Sequence, residues 1–316
     1  MKVLITGAAG FIGSKLASTL LTQGHDVVGL DNFLPDSYDK NIKIMNISKL
    51  EEHIYANRFK FHEFDLRADN FNALAQDFDY IINQAAMPGL LQSWTNFNLY
   101  ISCNLIGLQR LAEWACNSQI RGFIQASTSS VYGIKAESNE EAKTEPNSPY
   151  GVSKLAAEKL LLSYWNNFQL PVTILRYFSV YGPGQRPDMA YARIIGAIAS
   201  MSPFVIYGDG KQSRTNTYVS DVVEATVLAM ENSPPGSIYN IGGNQKVSLI
   251  QVIELIESLM QGKLIKRFEA TRPGDQLHTA SVCGKANLDL GWTPRTSIED
   301  GLKTQIDWAL QARSEL

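Results

Sequence analysis

The sequence predicts an α/β protein with a doubly wound parallel sheet and a smaller α+β part. In the first half of the 316-residue chain, short apolar runs alternate with segments of helical periodicity. A glycine-rich turn joins the first apolar run to the first helix. After residue 184 the loops lengthen and the alternation becomes irregular. We therefore expect a first domain at 1–178 and a second at 179–316, with segments near 214–232 able to pack back on the first.

Each predicted element rests on a local pattern. Residues 3–6 are mostly apolar, as in a central parallel strand, and the helix after them ends at Gly24, a C-cap residue. Leu105, Leu108 and Leu111 have helical spacing, and Pro149 suits the first turn of a helix. Further strands are predicted at 26–31, 58–65, 79–83, 122–128 and 171–179, with helices at about 98–117 and 149–168. The second part is predicted to hold helices near 189–201, 220–232, 248–260 and 298–312, and strands at 204–207, 238–241 and 264–268.

The composition excludes several classes of protein. Hydrophobic residues make up 45% of the chain and charged residues 19%, so the chain can form a core and is not disordered. The net charge of −3, without a block of Lys or Arg, favours neither a nucleic-acid nor a membrane partner, and no apolar run is long enough to span a membrane. Glycines interrupt any signal-peptide core, and three cysteines without a Cys-x-x-Cys motif indicate a reducing compartment. We therefore expect a cytoplasmic protein, and the four histidines, which lack ligand spacing, predict no metal site.

The turn at residues 6–13, Thr-Gly-Ala-Ala-Gly-Phe-Ile-Gly, predicts a dinucleotide site. Gly7, Gly10 and Gly13 permit a tight turn and let the backbone approach a pyrophosphate at the helix N-terminus. The carboxylate of Asp31, which ends the second strand, is placed to accept hydrogen bonds from both ribose hydroxyls and would repel a 2′-phosphate. We therefore predict NAD rather than NADP. Asp65 ends the third strand and is a candidate acceptor for the adenine amine.

A second motif, Tyr150-Gly-Val-Ser-Lys154, predicts a catalytic pair, because residues i and i+4 share one face of a helix. We expect the Lys154 ammonium to lower the pKa of Tyr150, so that the tyrosine can take a proton from a sugar hydroxyl. Thr128 closes the fifth strand, at the edge where such sheets bind ligands, and its hydroxyl could bridge the substrate oxygen and Tyr150. The alternative for the hydroxyls at 127–130 is a turn in which they bond the local backbone.

These motifs resemble those of the extended short-chain dehydrogenases/reductases, in the NAD-dependent group of nucleotide-sugar epimerases and dehydratases. The resemblance covers essentially the whole chain, and it includes Ser-Thr-Ser-Ser-Val-Tyr-Gly at 127–133, Arg-Tyr-Phe-Ser-Val-Tyr-Gly-Pro at 176–183 and Arg-Pro-Gly-Asp at 272–275. It implies a Rossmann-type NAD domain at 1–178, a sugar-nucleotide domain at 179–316, and a homodimer formed through the helices near 98–117 and 149–168. It also implies that Thr128, Tyr150 and Lys154 are catalytic.

The resemblance further implies two sets of binding residues. For NAD they are Gly7, Gly10, Phe11, Ile12, Gly13, Asp31, Asn32, Asp65, Leu66, Gln84, Ala85, Ala86, Asn104, Tyr150, Lys154, Tyr177 and Val180. For the UDP-sugar they are Pro88, Gly89, Thr128, Ser129, Ser130, Ser179, Arg186, Arg214, Arg272 and Asp275. Arg214 and Arg272 match the arginines that hold the diphosphate, as paired cations suit two phosphates.

The two positions after Thr128 favour an epimerase. Dehydratases of the group resemble one another in carrying acids there, and UDP-glucuronate decarboxylases tend to carry a Glu. Here the residues are Ser129 and Ser130, whose hydroxyls have the wrong pKa for that proton transfer. The run Val-Tyr-Gly-Pro-x-x-Arg-Pro-Asp-Met-Ala at 180–190 resembles that of UDP-glucuronate 4-epimerases. We therefore predict conversion of UDP-glucuronate to UDP-galacturonate through a transient 4-keto sugar, with the charge of Arg186 near the substrate carboxylate.

Three alternatives stay open. The enzyme could epimerise a neutral UDP-hexose, such as UDP-glucose or UDP-N-acetylglucosamine, or it could decarboxylate UDP-glucuronate. The third alternative is a non-catalytic NAD(H)-sensing module on the same fold, although such modules typically lose the Tyr or the Lys. For Arg186, the alternative role is an ion pair with Asp188 that fixes the loop.

Overall fold

The computed structural model describes residues 1–34, 39–74, 77–272, 274 and 276–314. The strands are β1 (Lys2–Thr6), β2 (Asp26–Asp31), β3 (Phe59–Glu63), β4 (Tyr80–Asn83), β5 (Gly122–Thr128), β6 (Lys135–Ala136), β7 (Val172–Tyr177), β8 (Val180–Tyr181), β9 (Pro203–Tyr207), β10 (Ser213–Thr215), β11 (Thr217–Tyr218), β12 (Ser237–Ile241), β13 (Lys246–Ser248), β14 (Ile265–Glu269) and β15 (His278–Thr279). The helices are α1 (Phe11–Thr22), α2 (Lys40–Glu51), α3 (Gln92–Thr95), α4 (Phe97–Ile101), α5 (Gly107–Cys116), α6 (Pro149–Phe168), α7 (Ala190–Ala199), α8 (Val219–Asn232), α9 (Leu249–Met260), α10 (Gly284–Leu290) and α11 (Ile298–Ser314). Short 3₁₀ turns lie at Ala56–Arg58, Phe71–Ala73 and Ser129–Tyr132, and a π-helical turn at Ser102–Ile106 joins α4 to α5.

Seven strands form a fully parallel sheet in the order β12-β7-β5-β4-β1-β2-β3. Val3 and Ile5 of β1 pack into the layer that contains α1 and α8, whereas Leu4 packs into the layer that contains α5 and α6. Because successive side chains of a strand point to opposite faces, a continuously apolar strand can pack against both layers. The predicted doubly wound α/β fold is confirmed.

The order of the strands places the predicted site at one edge of this sheet. β1 lies between β2 and β4, where the order of the strands reverses, and such a reversal leaves a crevice at the carboxyl ends of the strands. The glycine turn follows β1, Asp31 ends β2, Gln84 follows β4 and Thr128 ends β5. Residues that are far apart in the chain are thereby brought to the same crevice.

A second core lies in the smaller part, between α7, α9, α11 and β9. It contains the buried side chains of Ile194, Ile206, Ile253 and Leu302. Beside it, a four-stranded sheet has the order β13-β10-β15-β6, and its last strand comes from the first half of the chain. The helices predicted in this part correspond to α7, α8, α9 and α11.

Several elements differ from the sequence analysis: the helix predicted at about 98–117 is divided by the π-helical turn, and α2, α3, α10 and the short strands β6, β8, β10, β11, β13 and β15 were not predicted. β12, predicted as a strand of the second part, pairs with β7 at the edge of the main sheet, where Ile238 is opposite Ile174. α8 packs against α1, as expected for the segments near 214–232. The division of the chain at residue 178 stays a prediction, and β12 crosses it.

Candidate active site

Two cavities open at the carboxyl edge of the main sheet, and they meet at Tyr150. The smaller one, of about 240 Å³, lies against the glycine turn and contains Lys154. The larger one, of about 1480 Å³, lies between the main sheet and the smaller part, and Thr128 lines it. The two cavities share the side chains of Phe11, Ile12, Pro88, Ser127, Tyr150, Tyr177 and Arg186. A molecule in one cavity therefore faces a molecule in the other across the tyrosine.

The glycine turn forms one wall of the smaller cavity. Gly7 has a φ of +68°, and a Cβ at this position would lie 2.8 Å from the backbone nitrogen of Ala85. A Cβ at Gly13 would lie 2.2 Å from the carbonyl oxygen of Gly7. α1 begins at Phe11, and Gly10 at its N-cap supplies no side-chain acceptor to the first turn. The first N–H groups of α1 are thus available to an anion, as the sequence predicted.

The carboxylate of Asp31 lies at the end of β2, buried beside the smaller cavity. Its Oδ1 accepts hydrogen bonds from the backbone N–H of Phe33 at 2.9 Å and from Nζ of Lys43 at 3.1 Å. Lys43 lines the same cavity, and the sequence analysis missed it because α2, the helix that carries it, was not predicted. The Asp31 carboxylate, at the end of a strand, is suited to accept hydrogen bonds from ribose hydroxyls. The ammonium of Lys43 holds this carboxylate in place.

Asp65 and Leu66 also line the smaller cavity, with Arg67 beside them. Arg67 donates to the Asp65 carboxylate from Nε at 2.9 Å and from a terminal nitrogen at 2.6 Å, and the side-chain amide of Asn32 donates to it at 3.1 Å. The hydrogen bonds from the Arg67 side chain are the main reason that the pKa of Asp65 falls to about 2. The predicted acceptor for adenine is therefore held ionised, by an arginine that the sequence analysis did not identify.

The loop after β4 forms the opposite wall, which includes Gln84, Ala85 and Ala86. The side-chain amide of Gln84 donates to the Tyr177 hydroxyl at 2.9 Å, so these two predicted cofactor residues support each other. Asn104, in the π-helical turn, accepts from the backbone N–H of Met87 at 2.7 Å and donates to Oγ of Ser153 at 3.0 Å. Its amide group therefore supports this loop from behind.

Tyr150 and Lys154 lie in the first two turns of α6. The helix begins after Ser148, whose Oγ accepts a hydrogen bond from the backbone N–H of Gly151 at 3.1 Å. Lys154 is buried, and its Nζ donates to the carbonyl oxygen of Ala126 at 2.7 Å. This contact fixes the lysine against the end of β5, next to the half-buried ring of Tyr150.

Burial dominates the protonation of this pair. It lowers the pKa of Lys154 to about 8, against the opposing charge of Glu158. It raises the pKa of Tyr150, although a hydrogen bond with Thr128 and the positive charge of Arg186 act in the other direction. The prediction of a lowered tyrosine pKa is therefore wrong for this structure, because it counted the charge of the lysine and omitted the cost of burying a phenolate.

Thr128 ends β5 and caps the 3₁₀ turn that contains Ser129 and Ser130. Its Oγ1 accepts from the backbone N–H of Ser130 and donates to Oγ of Ser130, both at 3.2 Å. The alternative that the hydroxyls of 127–130 bond the local backbone thus holds for Thr128. Gln276 fixes the same turn, because its side-chain amide donates to the carbonyl oxygens of Ser129 at 3.2 Å and Gly133 at 2.7 Å. The sequence analysis missed Gln276.

The remaining predicted sugar-nucleotide residues line the larger cavity. Pro88 and Gly89 do so through a loop whose carbonyl oxygens accept from the hydroxyl of Tyr100 at 2.9 and 2.8 Å. Ser179 lines it as well, with a φ of +23°. Val180, predicted as a cofactor residue, also lines this larger cavity and is not among the residues that line the smaller one.

Four arginines line the larger cavity, and three of them, Arg186, Arg214 and Arg272, are predicted site residues. Arg186 donates to Asp188 from Nε at 2.9 Å and from a terminal nitrogen at 2.7 Å, which is the ion pair that the sequence analysis kept as an alternative. Arg214 donates to the carbonyl oxygen of Gln276 at 3.1 Å, and the guanidinium carbon of Arg272 lies 3.9 Å from the centre of the Tyr207 ring. The remaining predicted residue, Asp275, lies outside the described residues.

The described residues also bear on metal binding and on membrane insertion. Within them, no group of three or more His, Cys, Asp or Glu side chains is arranged to hold a metal ion. In the same part of the chain, no helix is both long enough and apolar enough to cross a membrane. Cys103, Cys116 and Cys283 are free thiols.

The fold and the cavities together define an enzyme that binds a dinucleotide beside a Tyr-x-x-x-Lys pair. The chain belongs to the NAD dependent epimerase/dehydratase family, whose family model matches residues 3–242. The predicted family and the predicted cofactor, NAD, are thereby confirmed.

Individual members of the family are similar over the full chain. An uncharacterized UDP-glucose epimerase of Bacillus subtilis, YtcB, is 41% identical over 312 residues, which cover 97% of each chain. A UDP-glucuronate 4-epimerase of Thermodesulfobacterium geofontis is 36% identical over 315 residues, which cover 97% of this chain and 95% of the relative. The crystal structure of the UDP-glucuronic acid 4-epimerase of Bacillus cereus in complex with UDP-glucuronic acid and NAD has a TM-score of 0.95 at 39% identity, over 99% of this chain and 100% of that one.

Proposed function

We propose that the protein is a UDP-glucuronate 4-epimerase that interconverts UDP-glucuronate and UDP-galacturonate with NAD as its cofactor. The observation that carries this proposal is the meeting of the two cavities at Tyr150, beside a turn that holds Ser129 and Ser130. Elimination of water needs an acid–base group that moves the C5 proton, and hydroxyls such as these have the wrong pKa for that transfer. The similar proteins of T. geofontis and B. cereus bear this activity in their names.

The residues of the smaller cavity fit NAD. The N–H groups at the start of α1 suit its pyrophosphate, and the buried carboxylate of Asp31 suits a ribose. When bound there, NAD would supply a hydride acceptor in its oxidised form and a hydride donor in its reduced form. Lys154, which lies in the same cavity, holds the cofactor side of the site against β5.

Tyr150 is the general base and acid of the proposed reaction. As a phenolate it takes the proton of the C4 hydroxyl, and it gives the proton back when C4 is reduced from the other face. General acid–base catalysis of this kind contributes about 10²- to 10⁴-fold. Because burial raises the pKa of Tyr150, the cations nearby are needed: the charge of Arg186 lowers this pKa, and the Lys154 ammonium is one helical turn away.

The 4-keto sugar must turn over between the two hydride transfers. The larger cavity, at about 1480 Å³, leaves room for the sugar to turn while the nucleotide stays in place. Arg214 and Arg272 stand in the wall of that cavity and are suited to hold the diphosphate as an anchor.

The carboxylate of a hexuronate sets a further requirement. Once C4 is a ketone, the sugar is a β-keto acid, and the site must hold its carboxylate so that carbon dioxide is not lost. The hydroxyls of Ser129 and Ser130 can donate hydrogen bonds to it, and Arg186 can supply charge. All three side chains line the larger cavity.

Epimerisation of a neutral UDP-hexose is the second candidate. Two observations favour it: Asp188 already engages Arg186, and the similar protein of B. subtilis is named a UDP-glucose epimerase. A preference for the neutral sugar would need the Arg186–Asp188 pair to stay closed when substrate binds.

The function is tested by product analysis with the purified protein. UDP-glucuronate, UDP-glucose and UDP-N-acetylglucosamine are each incubated with it, and kcat/KM, carbon dioxide release and NAD content are followed. The proposal requires the uronate to be the best substrate, with no net consumption of NAD. Equal rates with the neutral sugars would support the second candidate, release of carbon dioxide would support a decarboxylase, and no turnover would support an NAD(H)-sensing module.

We also propose a homodimer formed through α4, α5 and α6, and a cytoplasmic location. Phe97, Ile106 and Val152 are apolar side chains that stay exposed on these helices and the π-helical turn between them, at 37%, 49% and 45%. Light scattering should give the mass of a dimer for the wild type and the mass of a monomer for Ile106→Glu. Ile54→Glu, at an exposed site elsewhere, should remain a dimer.

The proposed cytoplasmic location is supported by the three free thiols, which suit a reducing compartment.

A further inference from the structure

A buried ion pair lies behind the catalytic pair. Arg176 of β7 and Glu158 of α6 are only 2% and 1% exposed. Arg176 donates from Nε to Oε1 of Glu158 at 3.0 Å and from a terminal nitrogen to Oε2 at 2.7 Å. Removing two charges from water is costly, and a buried pair is often no more stabilising than apolar side chains. The pair therefore calls for an explanation other than stability.

The carboxylate of Glu158 has a second contact, which leads to the catalytic residues. Its Oε1 accepts a hydrogen bond from Oγ of Ser127 at 2.5 Å. On β5, Ser127 stands between Ala126, whose carbonyl oxygen accepts from Lys154, and Thr128. Glu158 thus connects the end of β5 to the helix that carries Lys154.

The charge of Glu158 also acts on Lys154 directly. The two residues are one turn apart on α6, where side chains at i and i+4 are neighbours. Burial of Lys154 favours its neutral amine and lowers its pKa, and the negative charge of Glu158 opposes this effect. Without Glu158, the ammonium would lose the charge that stabilises it.

Other titratable groups surround Lys154 on the neighbouring elements. Those of its own cavity and of the elements packed against its helix are Tyr150 on α6, Arg176 and Tyr177 on β7, Tyr100 on α4, Cys103 in the π-helical turn, Arg110, Glu113 and Cys116 on α5, Tyr132 in the 3₁₀ turn, and Asp31, Lys43, Asp65, Arg67 and Arg186 around the cavity. β5 carries no titratable side chain. Glu158 is the group whose charge counteracts the burial of the lysine.

We propose that Glu158 is a positioning residue for the catalytic pair, which holds the end of β5 against α6 through Ser127 and keeps the buried ammonium of Lys154 charged. Arg176 orients the carboxylate and is itself held by the hydroxyl of Tyr132, to which it donates at 2.7 Å. The roles of Lys154 and Thr128 in this inference rest on the proposed function.

The effect of Glu158 on the charge of Lys154 is tested by measuring the pH midpoint at which the Lys154 side chain titrates. The measurement uses NMR of protein labelled with ¹⁵N-lysine, and the spectrum of Lys154→Met identifies the signal. Two variants change the field in opposite directions. Glu158→Gln/Arg176→Met removes both charges and leaves no unpaired ion, whereas Arg176→Met leaves the negative charge unopposed. A unit charge about 6 Å away in an effective dielectric of about 40, as for Glu158, shifts a pKa by about one unit. Arg176 acts in the opposite sense and more weakly, since Glu158 is the charge of this pair that acts on Lys154. With an effect about half as large for Arg176, the midpoint should fall by about half a pH unit in the double variant and rise by about half a pH unit in Arg176→Met.

The activity of the same variants separates positioning from folding. In both charge variants, the pH at which kcat falls on the alkaline side should shift in the same direction as the NMR midpoint. Ser127→Ala keeps both charges, so it should lower kcat at every pH without shifting the pH at which kcat falls. Glu257→Gln is the matched control, because Glu257 on α9 is a buried carboxylate that pairs with Lys263, just after that helix, and with Lys266 on β14. It should not move the Lys154 midpoint.

The outcomes distinguish this inference from the proposed function. An unmoved Lys154 midpoint in the charge variants, or an unchanged kcat in Ser127→Ala, would overturn the role of Glu158. Because each charge variant has its own expected direction, either one that folds provides the test. A midpoint that moves as expected in a protein without epimerase activity would support the role of Glu158 and refute the proposed reaction.

Discussion

Replacing Arg186 by Ala should reduce kcat/KM for UDP-glucuronate far more than for UDP-glucose. Arg186 lines both cavities beside Tyr150, and it holds Asp188 by two hydrogen bonds of 2.9 and 2.7 Å. The carboxylate of a hexuronate would compete with Asp188 for the same guanidinium. Asp188→Asn, which removes the competing charge, should therefore act in the opposite direction.

The two effects differ in size. A hydrogen bond between an arginine and a substrate carboxylate contributes about 1.5–3 kcal/mol, so Arg186→Ala should lower the uronate-to-glucose ratio of kcat/KM by about 10- to 150-fold. The side chain of Asp188 is 48% exposed, and an ion pair with so much access to water is worth only about 0.2–1 kcal/mol. Asp188→Asn should therefore raise the ratio by about 1.4- to 5-fold.

The ratio of the two substrates is the quantity to measure, because Arg186 also lowers the pKa of Tyr150. Losing that charge slows both substrates alike, and the ratio cancels the effect. Initial rates are obtained by chromatography of the UDP-galacturonate and UDP-galactose formed. Arg295→Ala is the control, since Arg295 pairs with Glu224 and most of its side chain is exposed. An equal loss with both substrates would refute the assignment of a carboxylate site.

Three further predictions concern the reaction centre. Tyr150→Phe should lower kcat by about 10²- to 10⁴-fold with NAD still bound, and near-normal turnover in a stopped assay would exclude Tyr150 as the base. Because the pKa of Lys154 is about 8 and its ammonium is the active form, kcat should fall as the pH rises through about 8; a profile that is flat there in the wild type would contradict this role. Asp31→Asn should weaken NAD binding, measured by calorimetry, more than it weakens NADP binding. In this variant the ammonium of Lys43 is no longer neutralised by Asp31 and can face the 2′-phosphate of NADP. An equal loss for both cofactors would show that Asp31 does not select between them.

The main sheet was predictable because its strands carry their own signal. The predicted first and last residues are correct for β2, β5 and α6. In each of them, a run of apolar or helically spaced residues lies between residues that mark where the element begins and ends. α2 gave no such signal: Ile44 and Met45 are largely exposed, so its apolar side chains do not form one stripe. The place of β12 beside β7 depends on long-range pairing, which a local pattern does not contain.

The site was predictable where chemistry requires one residue type at one spacing. Tyr150, Lys154 and Asp31 fall into this class, and all three lie at the smaller cavity. Glu158 and Arg176 were missed, although an arginine within an apolar strand signals a buried partner. The protonation of Tyr150 was misjudged because burial is a property of the fold and the sequence shows only the charges.

The position of β12 also bears on how members of this family can exchange parts. A chimera joined at residue 178 would take its cofactor sheet from one parent and the outermost strand of that sheet from the other. The side chains that pack between β12 and β7 would then come from two different parents. Ile238, for example, would pack against whichever residue the other parent has at position 174. Transplanting a sugar specificity therefore needs a second junction, one that leaves the outermost strand with its own sheet.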